Sequence, residues 1–397
     1  MKFKIVYLLF FLFCIVYPYK VIAGPITFRH VVSLFMLGLC IYEGFQSDKY
    51  LYLYYAFVLL FGISSVAMGH AGDYFRGLFG TYISMIAAYA ATYILIKKYD
   101  GTNLLVWTIV CIGILNAVVT IGQFFEWSIT EKLCSLLKVE VDDKYVSIIE
   151  SQESDSNSLS LPGLLSSLNN GYFLSATALL ILFNRKCNFY INFLLWLVVI
   201  GASFVAQERA GFMIAIVFSA FIVGDYYFSK SKTAGFFALV IIMIVCASAI
   251  YAFLDDILAS ELRYTKGLEG DARGEYRSVT WDYILHNPMG GFFEFESEGH
   301  HHPHNFFLNT FLFGGFFGGI CLIVLLIFQI IKIVPYLFRN KDSEEAQWAF
   351  IWGLMYIDYT INSMVHNPSI VQGVVPFFIW WGAFLAYSEL DEELSLV

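Results

Sequence analysis

Residues 305–331, NFFLNTFLFGGFFGGICLIVLLIFQII, carry no charged side chain from end to end. An α-helix crosses a hydrocarbon core of about 30 Å in about 20 residues, so this stretch reads as a membrane-spanning helix. Comparable runs fill the rest of the chain, at 5–17, 26–45, 51–68, 75–96, 104–125, 164–183, 189–206, 210–228, 234–254, 348–364 and 369–387. The expectation is an all-α, polytopic integral membrane protein with about 12 transmembrane helices. A β-barrel would show short strands of alternating polarity instead. Composition agrees: 59% of the 397 residues are apolar and 14% charged, too little polar surface to coat a water-soluble body of this size. Cys14, Cys40, Cys111, Cys246 and Cys321 lie inside apolar runs, so no disulfide framework follows.

The net charge of −9 is local, since more than half of the 32 acids fall in two segments, 126–162 and 255–303. An acidity confined to two loops argues against a nucleic-acid partner. The chain therefore divides into helices 1–5 (1–125), a first long loop (126–163), helices 6–9 (164–254), a larger loop (255–303), and helices 10–12 with a tail (304–397). Basic residues set the orientation. Lys2 and Lys4, Lys49, Lys97 and Lys98, Arg185 and Lys186, Lys230 and Lys232, and Lys332, Arg339 and Lys341 all occupy alternate connections, which are then cytoplasmic. Both termini fall inside and both long acidic loops outside. Residues 1–24 also read as a basic, apolar signal peptide ending in small residues. A retained helix is the adopted reading, because it gives the basic connections their N-terminal member.

Arginine and histidine run against lysine. Arg29, Arg76, Arg209, Arg263, Arg273 and Arg277 map to the outer face, as do all eight histidines. A large outer domain accounts for part of this. Arg29, Arg76 and Arg209, however, sit outside the long loops, at the ends of separate helices, where a cation near lipid is costly and points to function. Arginine presents a planar fork that binds phosphate bidentately and stays charged. Convergence of several at one face suits a lipid-linked phosphate or pyrophosphate.

Three constellations stand out. In Gln207-Glu208-Arg209-Ala210-Gly211, Glu208 and Arg209 form either an ordinary loop pair or a polar break whose arginine clamps phosphate. The larger loop carries Arg273 and Arg277, then Trp281 four residues on and so on the same face of a helix, then Asn287-Pro288-Met289-Gly290-Gly291. It ends in Gly299-His300-His301-His302-Pro303-His304-Asn305. Consecutive histidines cannot all face one ion, and no partner motif accompanies them, so no metal site is expected. His304 differs, because Pro303 favours a helix start there. Phe313-Gly314-Gly315-Phe316-Phe317-Gly318-Gly319 reads as close helix packing, and Asn169-Asn170-Gly171 as a cavity lining or as glue between helices.

The succession Arg277-x-x-x-Trp281, Pro288-x-Gly290, His304-Asn305-x-x-Leu308, Gly314 and Gly318, together with Arg209-Ala210-Gly211, resembles the O-antigen polymerase and ligase superfamily. By motif the likeness covers residues 161–328, and by topology the whole chain. It implies a C-type membrane glycosyltransferase with a periplasmic active site, acting in lipopolysaccharide biosynthesis without metal or other cofactor. The donor it implies is a polysaccharide on undecaprenyl pyrophosphate in the bilayer. Carried over, Arg209 and Arg277 bind pyrophosphate, with Arg273, Arg76 and Arg29 as further candidates. His304 acts as general base toward the attacking hydroxyl or orients it, and Asn305 and Trp281 position substrate. Two positions depart from the pattern: Phe313 stands where an acid is common, and Gly290-Gly291-Phe292 replaces Gly-x-Gly. The leading expectation is the polymerase, which transfers the growing chain to a new lipid-linked repeat unit and has a chain-length regulator as a partner. The alternative is the ligase, whose acceptor is lipid A core. A transporter predicts inverted repeats and midplane charges, neither of which is visible.

Overall fold

The computed structural model describes residues 2–16, 21–23, 26–137, 163–165, 167–184, 188–206, 209–224, 272–300, 303, 305–338, 343–365 and 374–395, with short pieces between 233 and 248. Its helices are α1 (Lys2–Val16), α2 (Phe28–Tyr42), α3 (Leu51–Ala67), α4 (Phe79–Lys97), α5 (Thr102–Phe124), α6 (Ser128–Leu137) and α7 (Ser167–Phe183). They continue with α8 (Phe189–Val205), α9 (Arg209–Ile222), α10 (Ala272–His286), α11 (Phe292–Ser297), α12 (Phe306–Phe338), α13 (Glu344–Val365) and α14 (Val375–Ser395). Among the described residues the strands are those of one short antiparallel ladder, β1 (Val21–Ala23) with β2 (Ile26–Thr27). Each predicted span coincides with a helix except 234–254, most of which lies outside the described residues. Helix α4, α5 and α12 are each long and apolar enough to cross a membrane, and six shorter apolar helices accompany them. A helix satisfies its own backbone in lipid, and this inventory makes the chain a multi-pass membrane protein.

The chain forms two compact units, Met1–Thr102 with Ile257–Val397, and Asn103–Asp256. In the first, α4 packs on α14 and α2, α3 on α12, and α13 on α14. Small residues permit this closeness, as expected where lipid removes the hydrophobic drive between helices. Ala87, Ala88, Ala90 and Ala91 of α4 are fully buried, and a Cβ on Gly382 of α14 would stand 2.8 Å from the Tyr89 carbonyl oxygen. Large rings fill the remaining volume, with Trp352 stacked on Trp380 at 5.7 Å and Trp381 tilted against Tyr356 at 5.6 Å.

Basic connections meet at one end of this unit. Lys97 Nζ lies 2.8 Å from Glu393 and 3.2 Å from Glu389, Lys98 pairs with Glu43, and Lys4 donates to the Asp100 carbonyl at 3.1 Å.

The other end is shaped by α12. Its 33 residues would reach about 50 Å if straight, well beyond a hydrocarbon core of about 30 Å. Gly315, at φ 63° and ψ −170°, breaks it. Residues 316–338 beyond the break extend about 35 Å, a length the core accommodates with tilt.

In the second unit a buried amide network joins α5 to α7. Asn116 Nδ2 donates to Asn170 Oδ1 at 2.6 Å, and Asn170 Nδ2 to Thr120 Oγ1 at 3.1 Å. The network grips the chain just before α7: Leu164 N–H donates to Asn116 Oδ1 at 2.7 Å and Gly163 N–H to Gln123 Oε1 at 2.9 Å. Of the two readings for Asn170, glue between helices is the one observed.

Candidate functional site

A broken helix exposes backbone groups that are costly to bury unpaired. At Gly315 the turn 287–291 supplies the partners. Phe316 N–H donates to the Pro288 carbonyl at 2.9 Å and Gly291 N–H to the Leu312 carbonyl at 3.0 Å. The contact is backbone on backbone, and only glycine fits it. A Cβ on Gly315 would stand 2.5–2.7 Å from backbone atoms of Met289 and Pro288, and one on Gly290, at φ 91°, would stand 2.8 Å from Gly315 N. Gly314 and Gly318 do what close packing requires, since a Cβ at either would meet Phe57 of α3, at 2.8 and 3.5 Å. The glycine run therefore holds two devices, a packing face and a break.

Phe292 follows the turn and packs on Phe313 with ring centroids 3.8 Å apart. These are the two positions at which the sequence departs from the superfamily pattern, and each fills the space beside the other. Phe292 is thereby buried, and Phe293 stacks on Phe61 at 5.8 Å.

Helix α10 leads into the turn and is two-faced. Thr280 and Ile284 are buried, whereas Arg277, Trp281 and Leu285 are exposed. A cation and a flat indole four residues apart thus share the open face. Arg273 lies one turn before Arg277; its side chain is outside the described residues.

The remaining predicted residues belong to several elements of the chain. Arg29 is buried in α2, where Nη2 donates to Thr81 Oγ1 of α4 at 2.8 Å. Arg76 lies in a π-helical turn, Tyr74–Leu78, ahead of α4, and Arg209 opens α9. Both of those side chains, and His304 entirely, fall outside the described residues. Asn305 caps α12, its Oδ1 accepting the Leu308 N–H at 3.1 Å.

One cluster escapes sequence reasoning. His70 Nδ1 lies 3.0 Å from Asp73 Oδ2, and the His70 ring sits 5.9 Å from that of Phe293. Together with Ser64, Ser65, Met68 and Glu294, His70 lines a narrow cleft beside the turn. Tyr283 of α10 donates toward Glu294 Oε2 and the Gly291 carbonyl, each at 3.3 Å. Burial first, then the Glu294 charge, raise the Tyr283 phenol above its ordinary value, so it remains a donor at neutral pH. The spacing His70-x-x-Asp73 is the one sequence signal for the cluster.

Residues 193–323 match the family described as O-Antigen ligase. The match covers about a third of the chain and supports the O-antigen ligase and polymerase superfamily. It takes in α9, α10, the turn and the break at Gly315. No curated protein matches the chain.

Proposed function

We propose that the chain is a glycosyltransferase of lipopolysaccharide biosynthesis, an O-antigen polymerase of the bacterial inner membrane with both termini cytoplasmic. In this reading it transfers the growing glycan from undecaprenyl pyrophosphate to a lipid-linked repeat unit at the periplasmic face, with a chain-length regulator as partner. The supporting observation is the reach of the family match, which includes Arg209, Arg273, Arg277, Trp281, His304 and Asn305. Arg209, Arg273 and Arg277 hold the pyrophosphate and, with no metal, stabilise the charge that develops as it leaves. His304 takes the proton of the attacking hydroxyl, an assistance of about 10²- to 10⁴-fold in rate. Arg76 is a further phosphate ligand, while Arg29, tied to Thr81, contributes first to the join of α2 and α4. The description of the matching family favours a second reading, the ligase, with the same donor and lipid A core as acceptor.

Deletion of the gene, with complementation at matched membrane levels, separates the two. Core bearing a single repeat unit marks the polymerase; bare core with accumulated lipid-linked polymer marks the ligase; a normal ladder defeats both. Arg277→Ala, at an exposed site, is expected to lower polymer yield at least about tenfold with unchanged protein level. Arg277→Lys is expected to restore little of it, because the bidentate fork is lost.

A further inference from the structure

Helix α10 carries three different stripes, each at a spacing of four residues. Thr280 and Ile284 are buried. Ser278, Asp282 and His286 form an exposed polar stripe, with His286 Nδ1 tied back to the Asp282 carbonyl at 2.7 Å. Between these two runs a second exposed stripe, Arg277, Trp281 and Leu285, which Met289 continues in the turn. Trp281, Leu285 and Met289 are 44%, 51% and 47% exposed. A helix lying between protein and water needs one apolar and one polar face. A third face, apolar and uncovered, calls for a third environment.

The height of this stripe in the membrane is set by α12. Lys332 is the first charged side chain after the break. Counting back from it the roughly 20 residues that cross a hydrocarbon core reaches about position 312, so the break at Gly315 lies at the margin of that core, on the side away from Lys332. Pro288 and Met289 are held at the same level, because Phe316 N–H donates to the Pro288 carbonyl at 2.9 Å. Phe317 and Ile320, in the first two turns beyond the break, are exposed apolar side chains, as the lipid-facing residues of a span are. Met289 therefore stands where lipid begins. We propose that α10 is an interfacial helix whose Trp281, Leu285 and Met289 dip into the lipid leaflet on this side of the membrane. An indole suits that level, with an apolar ring and one N–H for the headgroup region. Arg277, at the far end of the stripe, is complementary in charge to lipid phosphate, and its apolar stem lets the guanidinium stay among the headgroups. The polar stripe is left to water. The dipped face holds Arg277 at the level of a diphosphate carried on a lipid; that consequence rests on the glycosyltransferase reading above, whereas the lipid contact does not.

The test uses the full chain in nanodiscs of ordinary or of brominated phosphatidylcholine, whose bromines near the top of the acyl chains quench an indole on contact. Trp281 is followed as the difference in emission between the unaltered chain and Trp281→Phe. That difference is expected to lose most of its intensity in the brominated lipid and to resist iodide in the water. In a second variant, Trp281→Phe with Asp282→Trp, the added indole lies on the polar stripe and is expected to do the reverse. A Trp281 signal that the brominated lipid leaves unchanged overturns the proposal, as does equal quenching of the two positions by lipid or by iodide. A photo-crosslinking p-benzoylphenylalanine in place of Leu285 should form adducts with phospholipid; adducts with a second copy of the chain would make the stripe a protein interface and overturn the proposal as well. A normal lipopolysaccharide ladder after gene deletion overturns the functional reading instead, and does so independently of the lipid contact.

Discussion

Each unit brings a loop in among its helices at a glycine of positive φ, and the two do so by different means. In the second unit Gly163, at φ 57°, is surrounded by side chains, and a Cβ there would meet Asn116, Thr120 and Asn170 at 2.4–2.9 Å. The loop backbone bonds to the amides of Asn116 and Gln123. In the first unit the turn 287–291 bonds directly to the backbone of a broken helix, with glycine on both sides. The need is the same, since a chain entering an apolar interior must bring every backbone donor and acceptor to a partner. Amide side chains give some, because they can shift by rotamer. A backbone contact between glycines has nothing to yield, and it holds the start of α12, next to His304, in a fixed place.

The largest effect should come from the rigid contact. Gly315→Ala places a Cβ against the Met289 and Pro288 backbone at a φ that only glycine adopts easily. It should lower stability by about 3 kcal/mol, seen as a drop in Tm of the detergent-solubilised protein with loss of folded yield. A Tm within a degree or two of the unaltered protein would show that the turn and the break do not hold each other.

The side-chain version should give way more gently. Asn116→Leu leaves the Leu164 N–H without its acceptor and takes the donor from Asn170, for about 1–3 kcal/mol. Adding Asn170→Leu should cost less than the sum of the single changes, because the two amides act as one network. Strict additivity in thermal unfolding would dissolve the network.

The smallest effect tests whether side chains also support the first-unit turn. Tyr283→Phe removes the single O–H donor that the Gly291 carbonyl and Glu294 share and should cost about 1 kcal/mol. The phenol is raised in the folded protein, so its contribution is complete below its ordinary value near pH 10 and is lost only as pH rises through the folded value. The Tm difference between Tyr283→Phe and the unaltered chain should therefore be flat from pH 6 to 9, within about a degree. A difference that vanishes at pH 8 would contradict the raised phenol.

Most of the long apolar helices and their places in the chain were legible in the sequence, as was the meeting of Lys4 with the Lys97–Lys98 connection. Lipid requires each crossing segment to be locally apolar and to satisfy its own backbone, so the signal is written residue by residue. The exposed pairing of Arg277 with Trp281 followed from helical spacing alone. Tertiary docking decided the rest. A glycine run looks the same whether it packs or breaks, and only the turn 287–291, arriving from outside the helix, makes Gly315 a break. Arg29 became an interhelical tie because Thr81, 52 residues on, lies opposite it. His70 and Glu294 share a cleft, and Phe292 meets Phe313, only because the turn docks against the end of α3 and the bend of α12. Contacts between distant segments leave no local period in the chain, which is why composition and spacing supplied the scaffold while the docked turn determined the cleft.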